Sequence, residues 1–575
     1  MKNKRCSENN KSDNRISDNR MIDDEIDDEW SDDRRYDERI SNDRRSDDRR
    51  SDDRRSDDRR SDDRINDGRR MSDDRNPDER KSDRKNKEMR KSEIKRNSPL
   101  IVISVIFISV LTAAISYAAV YAHIHKETML SNSYNSHQAI LANQNTRGII
   151  YSDSKEILAS TSVKDGTEVR EYPFAELFAH AVGFECNGRS GLEASANYYL
   201  INSHADMTDK IANEAEGNKY PGDNVVTTYN TALQQIAYDS LGVYKGAVIV
   251  SEPKTGKILA MVSKPDFDPN TVSEKWDDYM NDSETGTLIN RASQGVYPPG
   301  STFKIMTALE YIRENPDNYN DYSYTCTGRF KHDDDSISCY HGESHGKVDF
   351  MQSFAKSCNC SFANIGLTLD RTSFAETLSR LLFNSKLPVD MNYTKSSILM
   401  GTDISDSDMI QASIGQGKTQ MSPLHLNMIT DAVANGGLLM KPYEIDHVET
   451  SEGKVIKQNK PEEYGSLMTP DESQKLTELM KDVVEEGTGK KLRDAGYTAA
   501  GKTGSAEYDN IKGDSHAWFT GFAPADDPQI CVTVIIEGAG SGGDYAVPVA
   551  KRIFDRYFAD RDSTTENASS VETAQ

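Results

Sequence analysis

The chain has 575 residues, 70 of them Lys or Arg and 94 Asp or Glu, for a formal net charge of -24. Its length suits two or three domains, and an acidic balance of this size argues against nucleic acid as a partner, which a basic surface would have to attract. Seven cysteines in a chain this long are too sparse for a dense disulfide framework.

The charge is unevenly spread. Residues 1–97 carry about 30 basic and about 30 acidic side chains, so the whole net charge falls on the remainder. Residues 41–64 repeat the unit Ser-Asp-Asp-Arg-Arg. Asp and Ser are poor interior helix formers, and with so few apolar residues no core can offset chain entropy. Residues 1–97 are therefore expected to be a disordered, charged tail. Its serines could accept phosphate, although a solvated spacer is the plainer reading. Residues 100–122 then form an uninterrupted run without charge. Its 23 residues would span roughly 35 Å as a helix, enough to cross a bilayer. The run is too long, and too far from the start, for a cleaved signal peptide. Lys81, Arg84, Lys85, Lys87, Arg90, Lys91, Lys95 and Arg96 precede it, and few cations follow closely. The positive-inside rule puts the tail in the cytoplasm and the rest outside.

After the span, residues 123–225 read as a smaller membrane-proximal domain, with a hairpin around residues 152–155. The pattern tightens from residue 226. Leu233, Ile236, Ala237 and Leu241 share one helical face. Residues 246–250 and 258–262 are short apolar strands joined by Pro253-Lys-Thr-Gly256, a turn signal. Residues 497–508, 517–523 and 530–536 read as three further strands, and residues 547–558 as a terminal helix. Strands at both ends of residues 226–560, with helices between, predict an α+β domain: one antiparallel sheet flanked by helices. Residues 561–575 read as a second disordered tail.

Within this domain, Tyr297-Pro-Pro-Gly-Ser301-Thr-Phe-Lys304 delivers a serine to the start of a helix. Ser301 and Lys304, three apart, should share a face. The spacing alone is weak, since S-x-x-K also begins at Ser82, Ser92, Ser152, Ser251, Ser353 and Ser451. Two short motifs follow in order, Ser357-Cys-Asn359 and Lys502-Thr-Gly-Ser505. Together the three motifs resemble the active-site motifs of penicillin-binding proteins and serine β-lactamases. Residues 246–269, Gly415-Gln-Gly417, Ser422-Pro-Leu424, Ala434-Asn-Gly-Gly437 and residues 518–524 are similar to class B penicillin-binding protein transpeptidase domains. Residues 147–159 and 172–200 resemble the membrane-proximal region of the short, penicillin-binding protein A type.

The resemblance implies a peptidoglycan D,D-transpeptidase that cuts a D-Ala-D-Ala bond and is acylated by β-lactams. It needs no cofactor and no metal. Ser301 would be the nucleophile and Lys304 its base, neutral only if burial and the charge of Lys502 depress its pKa. Ser357 would relay a proton and Asn359 would bind the substrate amide. Thr503 and Ser505 would hold the substrate carboxylate, with Gly504 sparing the substrate a side-chain clash. A membrane-embedded glycan polymerase is the implied partner. The alternatives are a D,D-carboxypeptidase, which differs in using water as acceptor, and a non-catalytic wall-assembly scaffold. A β-lactamase lacks support, because no Glu-x-x-Leu-Asn context supplies a hydrolytic base. A penicillin sensor would need a cytoplasmic signalling domain.

One cluster stands apart. Cys326, His332, Cys339, His341 and His345 share a polar stretch whose spacing matches no standard zinc finger. Free thiols, a Cys326–Cys339 bridge and zinc all remain open readings. Cys358, inside the second motif, reads as filler.

Overall fold

The computed structural model describes residues 77–124, 137–282, 284–507 and 515–572. These divide into two units, one ending at Tyr121 and the other running from Ala122. The first is dominated by one 48-residue helix, α1 (Pro77–Ile124). Its stretch Ser98–Ala122 is long and apolar enough to cross a membrane and is not buried by the rest of the chain. Within this stretch the Thr112 hydroxyl donates to the Ile108 carbonyl at 2.8 Å, which pairs that group inside its own helix. The Ser-Asp-Asp-Arg-Arg repeats lie outside the described residues. Residues 77–97, however, are helical, where the sequence suggested a tail running to residue 97. Lys, Arg and Glu are good helix formers, and extending an existing helix requires no new nucleus.

In the second unit, α2 (Thr231–Leu241) leads into a hairpin of β1 (Gly246–Glu252) and β2 (Lys257–Lys264). The helices α3 (Lys304–Glu314), α4 (Asn359–Thr368), α5 (Pro423–Ala434) and α6 (Pro470–Glu485) follow. The chain closes with β3 (Ala500–Glu507), β4 (Ser515–Ala523), β5 (Ile530–Ile536) and α7 (Gly542–Glu572). The five strands form one sheet in the order β3-β4-β5-β1-β2, every pair antiparallel. The two ends of the domain therefore meet at β5 and β1, the α+β arrangement expected from the strand pattern.

Side-chain alternation along these strands supplies two buried faces. Val248 and Val250 of β1 join Val532 and Val534 of β5 in a core with Leu233 and Leu241 of α2 and Ile553 and Phe554 of α7. Ala247, Ile249 and Ile535 face the opposite way, into the larger core with Phe303, Met306, Phe362 and Leu426. The sheet is thus covered on both sides, which is why β5 reads as an apolar run broken only at Thr533, whose hydroxyl pairs with that of Thr520. Helix α7 runs from Gly542 to Glu572, past the predicted limits of 547–558 and into the stretch read as a disordered tail. Only its buried turns carry an apolar pattern that sequence can show.

A second sheet, of six strands, has the order Val455–Gln458, Ile445–Glu449, Asn224–Thr227, Ile150–Tyr151, Ile157–Lys164, Thr167–Glu171. The hairpin expected around residues 152–155 is present, with Ile150 opposite Ala159. Two of the six strands come from beyond residue 440, so this sheet draws on both sides of the division expected at 225. Behind it sits a buried ionic triad. Glu193 is fully buried and accepts from Arg147 Nε at 2.5 Å and from Arg170 Nε at 2.7 Å. Arg147 also donates to Asn197 Oδ1 and to the Glu193 carbonyl. Burial pushes the Glu193 pKa up, but the two guanidiniums outweigh it and the net shift is downward.

Candidate active site

Three segments far apart in sequence converge at one edge of the five-stranded sheet. Ser301 lies in the 3-10 turn Gly300–Phe303, directly before α3, and is half-buried. The turn is fixed on several sides. The Gly300 N–H donates to the Gly415 carbonyl at 2.8 Å, and Trp518 Nε1 donates to the Pro298 carbonyl at 3.1 Å. Tyr297 donates its hydroxyl to Glu537 Oε1 at 2.8 Å, an atom that also accepts from Arg291 Nε. Gly415 has φ +73, and a Cβ there would sit 2.1 Å from the Gly300 carbonyl oxygen, so this contact admits no side chain.

Strand β3 is the edge strand, and it packs against the Ser301 turn. A Cβ on Gly504 would lie 3.0 Å from Trp518 Cβ and 3.1 Å from both the Pro299 carbonyl oxygen and Thr302 Cγ2. The glycine thus lets the strand approach the serine turn. The family resemblance implies that the same missing side chain also spares the substrate a clash. Strand alternation puts Lys502 and Gly504 on one face and Thr503 and Ser505 on the other. The Thr503 hydroxyl is paired with that of Thr488, and Ser505 Oγ accepts from the Gly542 N–H at 3.3 Å.

The second motif closes the site. Ser357 has φ +55, a left-handed conformation uncommon for a residue with a Cβ and found where surrounding contacts hold it. Those contacts are the two lysines. Lys304 Nζ donates to the Ser357 carbonyl at 2.7 Å, to Ser357 Oγ at 3.3 Å and to Asn359 Oδ1 at 2.7 Å. Lys502 Nζ donates to Ser357 Oγ at 2.9 Å and to the Thr503 carbonyl at 3.1 Å. Asn359 spends its amide on the Ser338 carbonyl at 3.0 Å. The two lysines are the largest fully buried charged side chains of the domain, each 0% exposed.

Burial pushes the Lys304 pKa down to about 8, against the opposing influence of the sulfurs of Cys358, Cys339 and Cys360. Burial and then the Lys304 charge push Lys502 well below the ordinary lysine range. The second-cation effect expected on Lys304 thus falls on Lys502. Neither lysine faces a carboxylate in these contacts, and two ammonium groups sharing one buried hydroxyl favour loss of a proton from the pair. All three motifs are therefore brought together, with Ser357 Oγ as the junction.

The cysteines draw together. Cys358, read as filler, is buried, and with Cys326, Cys339, Cys360 and His345 it forms a compact group beside the second motif. Cys326 and Cys339 are free thiols 3.7 Å apart. His332 instead bonds Asp406, and His341 adopts φ +53 in an exposed turn. Sequence reasoning also missed Thr488, Gly542 and the Arg291–Glu537 pair that holds the Tyr297 hydroxyl; these four residues sit in no recognisable motif.

The penicillin binding protein transpeptidase domain family matches residues 246–555, which include all three motifs. The chain belongs to the penicillin-binding protein transpeptidase family. The penicillin binding protein A dimerisation domain matches residues 147–225. Among curated relatives, the peptidoglycan D,D-transpeptidase PbpA of Mycolicibacterium smegmatis is 30% identical over 424 residues, covering 69% of this chain and 86% of that protein. The imipenem acyl-enzyme complex of penicillin-binding protein A from M. tuberculosis is 28% identical with a TM-score of 0.66, covering 72% of this chain and 99% of that one. The D,D-transpeptidase domain of a peptidoglycan glycosyltransferase from Eggerthella lenta gives 26% identity and the same TM-score over 73% of this chain and 99% of that one.

Proposed function

We propose that this membrane-anchored protein is a serine D,D-transpeptidase of peptidoglycan, acylated by β-lactams at Ser301. The observation that carries the reading is the convergence of two buried lysines on one serine hydroxyl beside a serine-bearing helix start. Ser301 Oγ attacks the carbonyl of the penultimate D-Ala of a stem peptide and passes its proton to neutral Lys304. The C–N bond to the terminal D-Ala breaks, and a proton returns to the leaving amine through Ser357 Oγ, which both lysines reach. A neighbouring stem-peptide amine then attacks the Ser301 ester and restores the hydroxyl. The edge position of β3 supports a substrate bound as an added strand, near Lys502, Thr503, Gly504 and Ser505. Asn359 would shift part of its bonding from the Ser338 carbonyl to the substrate amide. Backbone N–H groups of Ser301 and Ser505 would hold the developing oxyanion, a contribution typically worth about 2.7–4 kcal/mol per donor.

Covalent labelling by a fluorescent penicillin is the direct test. Labelling is expected on the wild type and absent in Ser301→Ala; a labelled Ser301→Ala protein would refute the assignment. A stem peptide offered with an amine acceptor separates cross-linking from carboxypeptidase release.

The cationic residues before the apolar stretch of α1 support a cytoplasmic N-terminus and an outward catalytic domain. An impermeant maleimide should label a cysteine placed at Asn218, on the outer side, in intact cells, and one placed at Asn86 only after lysis. The reverse pattern would overturn the orientation. A membrane-embedded glycan polymerase is the proposed partner, to be sought by co-purification with the full-length chain.

A further inference from the structure

We infer that this protein carries a structural zinc ion next to its active site, held by Cys326, Cys339, Cys358 and His345. The ligand atoms of these four residues all lie within 4.8 Å of one another. The Cys326 and Cys339 sulfurs are 3.7 Å apart, as are those of Cys339 and Cys358, and Cys326 Sγ is 3.5 Å from His345 Nδ1. Tetrahedral zinc, with bonds near 2.3 Å to sulfur and 2.0–2.1 Å to nitrogen, puts sulfurs about 3.8 Å apart and sulfur about 3.5 Å from nitrogen. Three edges of the group therefore match a tetrahedron whose centre would hold the ion. The three cysteines are at most 3% exposed.

The surroundings suit thiolate ligands. The Gly328 N–H donates to Cys326 Sγ at 3.4 Å, and the Ser361 N–H donates to Cys358 Sγ at 3.4 Å. Such backbone donors orient thiolate ligands and offset their charge. Gly328 takes φ +90, and a Cβ there would lie 2.4 Å from the Gly342 carbonyl oxygen, so the turn after Cys326 admits no side chain. Cys360 lies 3.4 Å from Cys339 but outside the four-atom group. Four protein ligands and no open position describe a structural site rather than one that binds substrate.

The location gives the ion its task. Cys326 ends the strand Ser323–Cys326, which pairs with Gly346–Asp349 just after His345. Cys339 follows Ser338, whose carbonyl accepts from Asn359. Cys358 stands between Ser357 and Asn359 and caps α4. The ion would join this small β-excursion to the second motif from behind, while Lys304 holds Ser357 and Asn359 from the front. It would thereby help hold Ser357 in its left-handed conformation.

Purified full-length protein should contain about one zinc per chain by elemental mass spectrometry. Reduced apo-protein should take up Co2+ with the intense visible and near-ultraviolet bands of a tetrahedral thiolate site. Cys339→Ser and His345→Ala should each lose most of the metal, whereas His345→Cys and Cys360→Ser should retain it. Zinc content below about a tenth per chain with no cobalt spectrum, iron in place of zinc, or disulfides among these cysteines by alkylation and mass analysis would each overturn the site. If a variant fails to fold, the wild-type metal content and the cobalt spectrum still decide. Chelation should also slow penicillin acylation several-fold, with recovery on adding Zn2+ but not Mg2+. That arm rests on the proposed Ser301 chemistry. Unchanged acylation after zinc loss would overturn the positioning role, while the metal assays test the site independently of that chemistry.

Discussion

At the scale of single residues, the site depends on one hydroxyl. Ser357 Oγ is reached by Lys304 and by Lys502, and no other described side chain joins both. Removing it leaves two buried lysines without their shared acceptor and cuts the proton route to the leaving group. A positioned acid–base group typically contributes 10²–10⁴-fold. Ser357→Ala is expected to lower the acylation rate for a stem-peptide analogue by about that range, and to lower stability by about 1–3 kcal/mol because buried donors lose an acceptor. Stopped-flow or mass-resolved acylation would measure it, and a loss of under about threefold would count against the relay. The three motifs that meet in the candidate site are legible because each is contiguous and they occur in order. The thiol cluster was only half visible. Cys326, Cys339 and His345 drew notice as a polar group, but Cys358 and Cys360 sit one element later. No local spacing reports that the hairpin folds back onto α4.

Elements were legible where burial forces a pattern. In the catalytic sheet β1, β2 and β5, covered on both faces, show as largely apolar runs, whereas the edge strand β3 carries Lys502, Thr503, Ser505 and Glu507 and does not. The six-stranded sheet was not legible as a whole, because Ile445–Glu449 pairs with Asn224–Thr227 across more than two hundred positions. The strand pairing depends on long-range register, which local pattern does not encode. Nor did sequence disclose why residues 147–193 hold together. Arg147 enters from the first strand region, Arg170 from Thr167–Glu171 and Glu193 from the helix Gly191–Ser195, and the three meet in a buried triad. Breaking a buried pair by removing one partner typically costs about 3–5 kcal/mol, because it strands buried charge. Glu193→Ala leaves two guanidiniums uncompensated and should destabilise the membrane-proximal sheet by that amount. Hydrogen exchange should show lost protection in residues 147–227 before the catalytic sheet opens, and uniform protection in both sheets would contradict the account.

For the whole molecule, stability against pH is set partly by a carboxyl at the centre of the catalytic domain. Asp431 on α5 is buried against β1 and β5. Its oxygens accept from Ser251 Oγ at 2.8 and 2.9 Å, and Asn427 Nδ2 donates to it at 3.0 Å. With no cation among these partners, burial pushes its pKa up to about 7, partly opposed by the hydrogen bonds. The unfolded chain would ionise the same group near 3.9. Below about pH 4 both states are protonated and the full stability is present. As pH rises towards about 7 the unfolded state releases a proton that the folded state retains, so stability falls, by on the order of 4 kcal/mol in all. Above about 7 both states are ionised and the loss is complete. Asp431→Asn keeps the shape and stays neutral throughout. The variant should match the wild type in denaturant midpoint near pH 4, exceed it increasingly up to about pH 7 and keep a constant excess above that. If the wild-type and variant stability curves run parallel across that interval, Asp431 is not the group that titrates.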